Sequence, residues 1–136
     1  MNHPQAVCFD CRLEIIASHH LEIPMLTYAL SVFAIAALGG LVLAAHVLRG
    51  KLAPWALSML HALLGATGLI LLIVLLLQGS APQRVMAGFA LMLVAALGGF
   101  FLASFHLRKT LPPKAVVIVH ASIAVIGFLT LLSAAI

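Results

Sequence analysis

Apolar residues run along the chain in four long uncharged stretches separated by short polar segments. The stretches cover residues 25–48, 54–78, 85–107 and 115–136. About 20 residues, each rising ~1.5 Å along a helix, suffice to cross the hydrocarbon core of a bilayer. The pattern therefore predicts an all-α integral membrane protein, with a four-helix bundle in residues 24–136. Pro54 suits the start of the second helix, because proline is tolerated in a first turn.

The composition supports a membrane location. The chain has 136 residues, of which 65% are hydrophobic and only 7% are charged, whereas soluble domains carry about 25% charged residues. This balance excludes an ordinary soluble enzyme, a disordered chain and a nucleic-acid binder, and it makes lipid the expected partner. The three carboxylates, Asp10, Glu14 and Glu22, all lie in the first 22 residues.

Basic residues are distributed unevenly between the two ends of the predicted bundle. One end, called the basic end below, carries five of them: Arg49, Lys51, Arg108, Lys109 and Lys114. The other end carries only Arg12 and Arg84. Because Lys and Arg are enriched in cytoplasmic loops, we expect the basic end in the cytoplasm of a plasma or inner membrane and both termini on the opposite side. The first apolar run is too long for the core of a signal peptide, so no cleaved signal is expected.

The two halves of the chain match at a shift of 59 residues. ALGGLVLAAHVLRGKLAPWALSMLHALLGATG aligns without gaps with ALGGFFLASFHLRKTLPPKAVVIVHASIAVIG. Glycines, an arginine, a proline and a histidine coincide: Gly39 with Gly98, Gly40 with Gly99, Arg49 with Arg108, Pro54 with Pro113, His61 with His120, and Gly68 with Gly127. Both copies start on the same side, so the sequence predicts two parallel helical hairpins related by a pseudo-two-fold axis along the membrane normal.

Small residues recur every four positions on the first and third helices. The stripes are Ala36, Gly40 and Ala44 in the first half, and Ala95, Gly99 and Ala103 in the second. Such stripes let membrane helices approach closely. They could also make room for a flat cofactor.

His61 and His120 are the main candidates for a site. Each lies seven residues past its proline, which is about 10 Å along the helix, and histidines at membrane depth are functional candidates. Two imidazoles at one height suit the axial ligation of a b-type haem, and small residues follow each at i+4 and i+7: Gly65 and Gly68, and Ala124 and Gly127. The alternatives are another metal ion and structural hydrogen bonding.

His46 and His106 form a second candidate pair near the basic end, so one or two haems are expected. The repeat partner of His46 is Phe105 rather than His106, and one residue rotates a helical side chain by about 100°. The alternative is a role near haem propionates or lipid headgroups. The predicted helices carry no carboxylate, which argues against a di-iron site built on glutamate and histidine.

Residues 1–23 form a separate polar segment, with LEIIASHHLEI as a candidate interfacial helix. Cys8 and Cys11 form a CxxC that Arg12 follows, so the segment lacks the CxxCH of covalent haem attachment. With His19 and His20 the cysteines could bind zinc or copper. A disulfide, free thiols and a redox dithiol are the alternatives.

Four helices with histidine pairs on equivalent helices resemble the cytochrome b561 class and the haem-bearing anchor subunits of respiratory enzymes. The resemblance rests on LHALLGATG around His61 and VHASIAVIG around His120. It implies electron transfer by haem b, often with a quinol (quinone) or ascorbate. Other membrane subunits or a second copy of the chain, as a homo-oligomer, are further expected partners. Two other functions are compatible with the sequence: a non-catalytic accessory subunit of a membrane complex, and a membrane copper- or zinc-binding protein.

Overall fold

The computed structural model describes the backbone of residues 4–79 and 81–136, and the side chains of residues 25–79 and 81–136. This part of the chain is all-helical and contains four helices: α1 (Pro4–Leu48), α2 (Trp55–Leu77), α3 (Gln83–Leu107) and α4 (Lys114–Ala135). Each includes a segment long and apolar enough to cross a membrane, and in α1 that segment is Met25–Leu48. The predicted four-helix membrane bundle is confirmed.

Prolines mark the beginning of three helices. Pro54, Pro82 and Pro113 directly precede α2, α3 and α4, where a missing backbone N–H costs nothing. Pro24 differs, because it lies inside α1, which is continuous from Pro4 to Leu48. The first helix thus does not begin at residue 24, where the apolar run predicted its start.

The proposed ligands Cys8, Cys11, His19 and His20 lie outside the described side chains. Their chemistry stays a prediction from the sequence.

The helices are arranged in a ring in chain order. Helices α1 and α2 form one close hairpin and α3 and α4 the other. The ring closes through contacts of α1 with α4 and of α2 with α3. In the described part of the chain, α2 and α4 are therefore diagonal neighbours, and side chains from both can meet only at the centre of the bundle.

Residues 59 apart occupy equivalent places in the core. Leu72 and Leu131 are both completely buried, and Ala36 and Ala95 are both 4% exposed. The outer faces match as well, since Leu38 is 67% exposed and Leu97 is 62% exposed. Large apolar side chains exposed all around the bundle would be unfavourable in water, but they match the hydrocarbon of a bilayer.

Most hydroxyl side chains satisfy their hydrogen bonds within their own helix. Ser58, Thr67 and Thr130, for example, donate to the carbonyl oxygen four residues earlier, a common solution where no water is present. Arg84 reaches further, donating to the carbonyl oxygen of Ser133 at 3.1 Å. A cation at the end of α4 complements the negative end of that helix.

The turns at the basic end have the same shape in both halves. After α1, the N–H of Gly50 donates to Val47 and that of Lys51 to His46; after α3, Lys109 and Thr110 make the equivalent bonds to His106 and Phe105. This pairing is the Schellman motif, whose penultimate residue is left-handed. Gly50 has φ 72° there, and Lys109 has φ 53°. Only the second turn places a Cβ in that strained conformation.

Replacing Lys109 by glycine is therefore expected to stabilise the protein. The left-handed conformation costs a residue with a Cβ roughly 1–2 kcal/mol, so Lys109→Gly should raise the free energy of unfolding by about 1 kcal/mol, measured in detergent micelles. Lys109→Ala removes the same charge but keeps the Cβ, and it should give no gain. Gly50→Ala should destabilise by a similar amount. Equal effects of Lys109→Gly and Lys109→Ala would contradict this account.

Candidate two-histidine site

His61 and His120 occupy equal heights on diagonal helices. His61 lies six residues after Trp55, the first residue of α2, and His120 lies six residues after Lys114, the first residue of α4. This is about 9 Å along each helix axis from the basic end. Both side chains are partly buried. The structure therefore places the two residues where the repeat predicted them.

The two imidazoles meet at the centre of the bundle. Their ring centroids are 6.4 Å apart, and the ring planes are inclined by 76°. The backbones of α2 and α4 do not approach each other closely in the described part of the chain, so the two rings bridge the centre between diagonal helices. The site is thus made of one residue from each hairpin.

Each imidazole is fixed by a hydrogen bond to the neighbouring helix of its own hairpin. His61 Nδ1 lies 2.9 Å from the carbonyl oxygen of Ala36 on α1, and His120 Nδ1 lies 2.9 Å from that of Ala95 on α3. A carbonyl oxygen only accepts, so Nδ1 must carry the proton and donate it. In a neutral imidazole, Nε2 then has a free lone pair, which is the form that binds a metal ion.

Two glycines make room for these rings. A Cβ on Gly40 would lie 3.0 Å from His61 Cε1, and a Cβ on Gly99 would lie 3.4 Å from His120 Cε1. Gly40 is four residues after Ala36, and Gly99 is four residues after Ala95. In an α-helix, each glycine N–H donates to the same carbonyl that the imidazole reaches. The small-residue stripes thus give the imidazoles access to a backbone carbonyl.

The small residues that follow the histidines have different surroundings. A Cβ on Gly68 would lie 2.6 Å from the Phe33 ring, and one on Gly127 would lie 3.1 Å from Leu91 Cβ. These two glycines are therefore close-packing positions between helices. Gly65 is different, since a Cβ there would meet no atom within 4 Å. Open space thus exists at Gly65, one helical turn after His61.

His46 and His106 are not brought into ring contact with each other in the described part of the chain. His46 Nδ1 donates to the carbonyl oxygen of Val42 in its own helix, at 2.8 Å. His106 stacks on Trp55 across the α2–α3 boundary, with ring centroids 5.0 Å apart. No pattern in the sequence indicated this stack.

The chemistry available to the site comes from the Nε2 lone pairs of the two imidazoles. Metal–imidazole bonds are about 2.0–2.1 Å long and each nitrogen lies about 1 Å from its ring centre, so two imidazoles on opposite sides of one ion have centres about 6 Å apart. The observed separation of 6.4 Å is close to that value. Within the described residues, no group of three or more His, Cys, Asp or Glu side chains could hold a metal ion.

Structural hydrogen bonding was one of the alternatives for these two histidines, but the partners Ala36 and Ala95 were not predicted, although the sequence contained a signal for them. In both halves, a small residue with glycine four positions later precedes the histidine by 25 residues. The same spacing between the histidine and its hydrogen-bond partner thus occurs in both halves of the sequence.

Comparison of the chain with models of protein families, with curated proteins and with solved structures finds no match.

Proposed function

We propose that this protein is a membrane electron carrier, or a cytochrome subunit of a redox complex, that binds haem b through His61 and His120. The observation that carries the proposal is the pair of imidazoles at the bundle centre, 6.4 Å apart. In each, the Nδ1 hydrogen bond leaves Nε2 as the ring nitrogen that can bind a metal ion. Metal-binding histidines typically donate their other ring N–H to a carbonyl oxygen, a carboxylate or water.

The surroundings of the histidines support a redox role more than a hydrolytic one. The four membrane-spanning segments, residues 25–48, 55–77, 83–107 and 114–135, carry no carboxylate, so general acid–base catalysis or proton coupling by Asp or Glu has no candidate residue there. Bound haem would supply one-electron chemistry. The protein would supply the two ligands and an apolar environment that sets the reduction potential. A quinone in the bilayer is the partner that the resemblance suggests.

The space available for haem differs from the sequence expectation. Gly68 and Gly127 are covered by side chains of neighbouring helices, whereas the surface of Gly65 is open. A porphyrin would therefore lie against Gly65, on the same helix face as His61, rather than against Gly68 and Gly127.

The same contacts favour a second candidate function, binding of a bare copper or zinc ion. The imidazoles fill the space beside Gly40 and Gly99, and other side chains fill the space beside Gly68 and Gly127. A single ion between two Nε2 atoms needs much less room than a porphyrin. An accessory subunit without a cofactor is the third possibility, and it would bind neither.

The ligand assignment predicts a low-spin, bis-histidine haem spectrum in the purified protein. His61→Ala and His120→Ala should each abolish it or convert it to a high-spin spectrum, because each removes one axial nitrogen. The loss of haem affinity should exceed the roughly 10–100-fold caused by changes to outer-shell partners. His46→Ala is the control and should retain the low-spin spectrum. A wild-type protein that binds no haem would exclude the proposal.

Filling the space at Gly65 distinguishes haem from a bare ion. Gly65→Leu should prevent haem binding but leave the affinity for copper or zinc within about threefold, because the histidines are unchanged. Visible absorption and metal analysis of the same preparation measure both. Ala66→Leu adds the same side chain at a neighbouring exposed position and should have no effect. Normal haem binding by Gly65→Leu would place the porphyrin elsewhere.

We propose that the basic end of the bundle lies in the cytoplasm. In a background with Cys8 and Cys11 replaced by serine, Lys51→Cys and Lys109→Cys should resist a membrane-impermeant thiol reagent in intact cells. Gln83→Cys, exposed at the opposite end, should react. Both lysine positions should react once the cells are permeabilised. The reverse pattern would invert the topology.

A further inference from the structure

We infer that Gly40 and Gly99 are positioning residues that set the orientation of the two histidines, and that His61 depends on its glycine more strongly than His120 does. As a statement about haem ligation, the inference rests on the function proposed above. As a statement about the imidazoles, it can be tested without any cofactor.

The first step concerns access to the carbonyl oxygen. The oxygen of Ala36 accepts the N–H of Gly40 within the helix and also the Nδ1–H of His61. A carbonyl has two lone pairs and can accept both. In a helix, the second direction of approach passes over the residue four positions later. Glycine at position 40 leaves that approach open, and Gly99 does the same for Ala95 and His120.

The second step concerns which atoms the missing side chain would meet. Within 4 Å of a Cβ on Gly40, the three nearest atoms all belong to the His61 ring: Cε1 at 3.0 Å, Nδ1 at 3.4 Å and Nε2 at 3.8 Å. A Cβ on the neighbouring Gly39 would lie 3.7 Å from Leu57 and 3.9 Å from His61 Cβ, which are ordinary contacts. A side chain at position 40 would thus press on the imidazole of His61 and not on the rest of α2.

The third step is the difference between the two halves. A Cβ on Gly99 would meet only His120 Cε1, at 3.4 Å. An alanine there would make a contact at the limit of ordinary van der Waals distance, whereas an alanine at position 40 requires the ring to give by a few tenths of an ångström. The two histidines are therefore equivalent in the sequence repeat but unequal in how tightly they are seated.

The direct test uses the cofactor-free protein and nitrogen-15 NMR of its histidine side chains in detergent micelles. In the wild type, His61 and His120 should each show a protonated Nδ1 and an unprotonated Nε2. In Gly40→Ala, the signals of His61 should change to those of a mixture of tautomers, while those of His120 stay the same. Gly39→Ala, the matched control, should leave both unchanged. An unaltered His61 signature in Gly40→Ala would overturn the inference.

A double-mutant cycle separates positioning from helix packing. Gly40→Ala should lower the thermal unfolding midpoint in the wild type but not in the His61→Ala background, because the ring that the new methyl meets is absent there. An equal decrease in both backgrounds would show that Gly40 only serves the contact between α1 and α2, and would overturn the inference. If Gly40→Ala folds only in the His61→Ala background, the inference is supported.

Haem titration then tests the consequence for the proposed site. Gly40→Ala should weaken haem binding about 10–100-fold, the usual effect of disturbing a ligand's outer partner, and Gly99→Ala should weaken it less. Equal or reversed effects would contradict the proposed inequality. If the wild type binds no haem, the proposed function fails, while the NMR and unfolding experiments still decide the role of Gly40.

Discussion

The hydrogen bond from an imidazole Nδ1 to a backbone carbonyl on the adjacent helix is the interaction on which the centre of this bundle depends. In an apolar interior, an unsatisfied N–H costs several kcal/mol. The bond therefore fixes the ring, and the ring fixes the register of each hairpin, His61 with Ala36 and His120 with Ala95. It also selects the tautomer, because the carbonyl accepts only the protonated nitrogen. Helix packing, proton position and direction of the free Nε2 are thus set together.

The small residues of α1 and α3 follow from the same constraint. In membranes, small residues are commonly explained by close helix approach, and Gly68 against Phe33 is such a case. Gly40 has a different reason, because the atoms it accommodates belong to an imidazole from the next helix. Two glycines of similar sequence context thus have different tasks. Gly65, with open space in front of it, has neither.

The sequence predicted the fold well because each element has a strong one-dimensional signal. Uncharged runs predicted the spans of Trp55–Leu77 and Lys114–Ala135 to within one residue. The gapless repeat placed His61 and His120 at one height. The role of Gly40 could not be predicted, because it depends on which helix face meets a side chain 21 residues later. The Trp55–His106 stack breaks the repeat, since the equivalent positions hold Lys114 and Val47, and no periodic pattern could have indicated it.

The two halves of the chain match most closely at the bundle centre, as a site on the pseudo-two-fold axis would require. A hairpin that contributes one imidazole cannot by itself provide two ligands on opposite sides of an ion, but two copies related by this axis can. The positions closest to that task, His61 with Ala36 and His120 with Ala95, keep the repeat most closely, with identical donor–acceptor distances of 2.9 Å. The two ends of the bundle have no such requirement, and although the backbone turns at the basic end match, each end has a side-chain contact without a counterpart in the other half. Trp55 stacks on His106 at the basic end, and Arg84 binds the carbonyl of Ser133 at the other. A cofactor held at the centre would thus have nearly symmetric ligands, between two ends of the bundle that are chemically distinct.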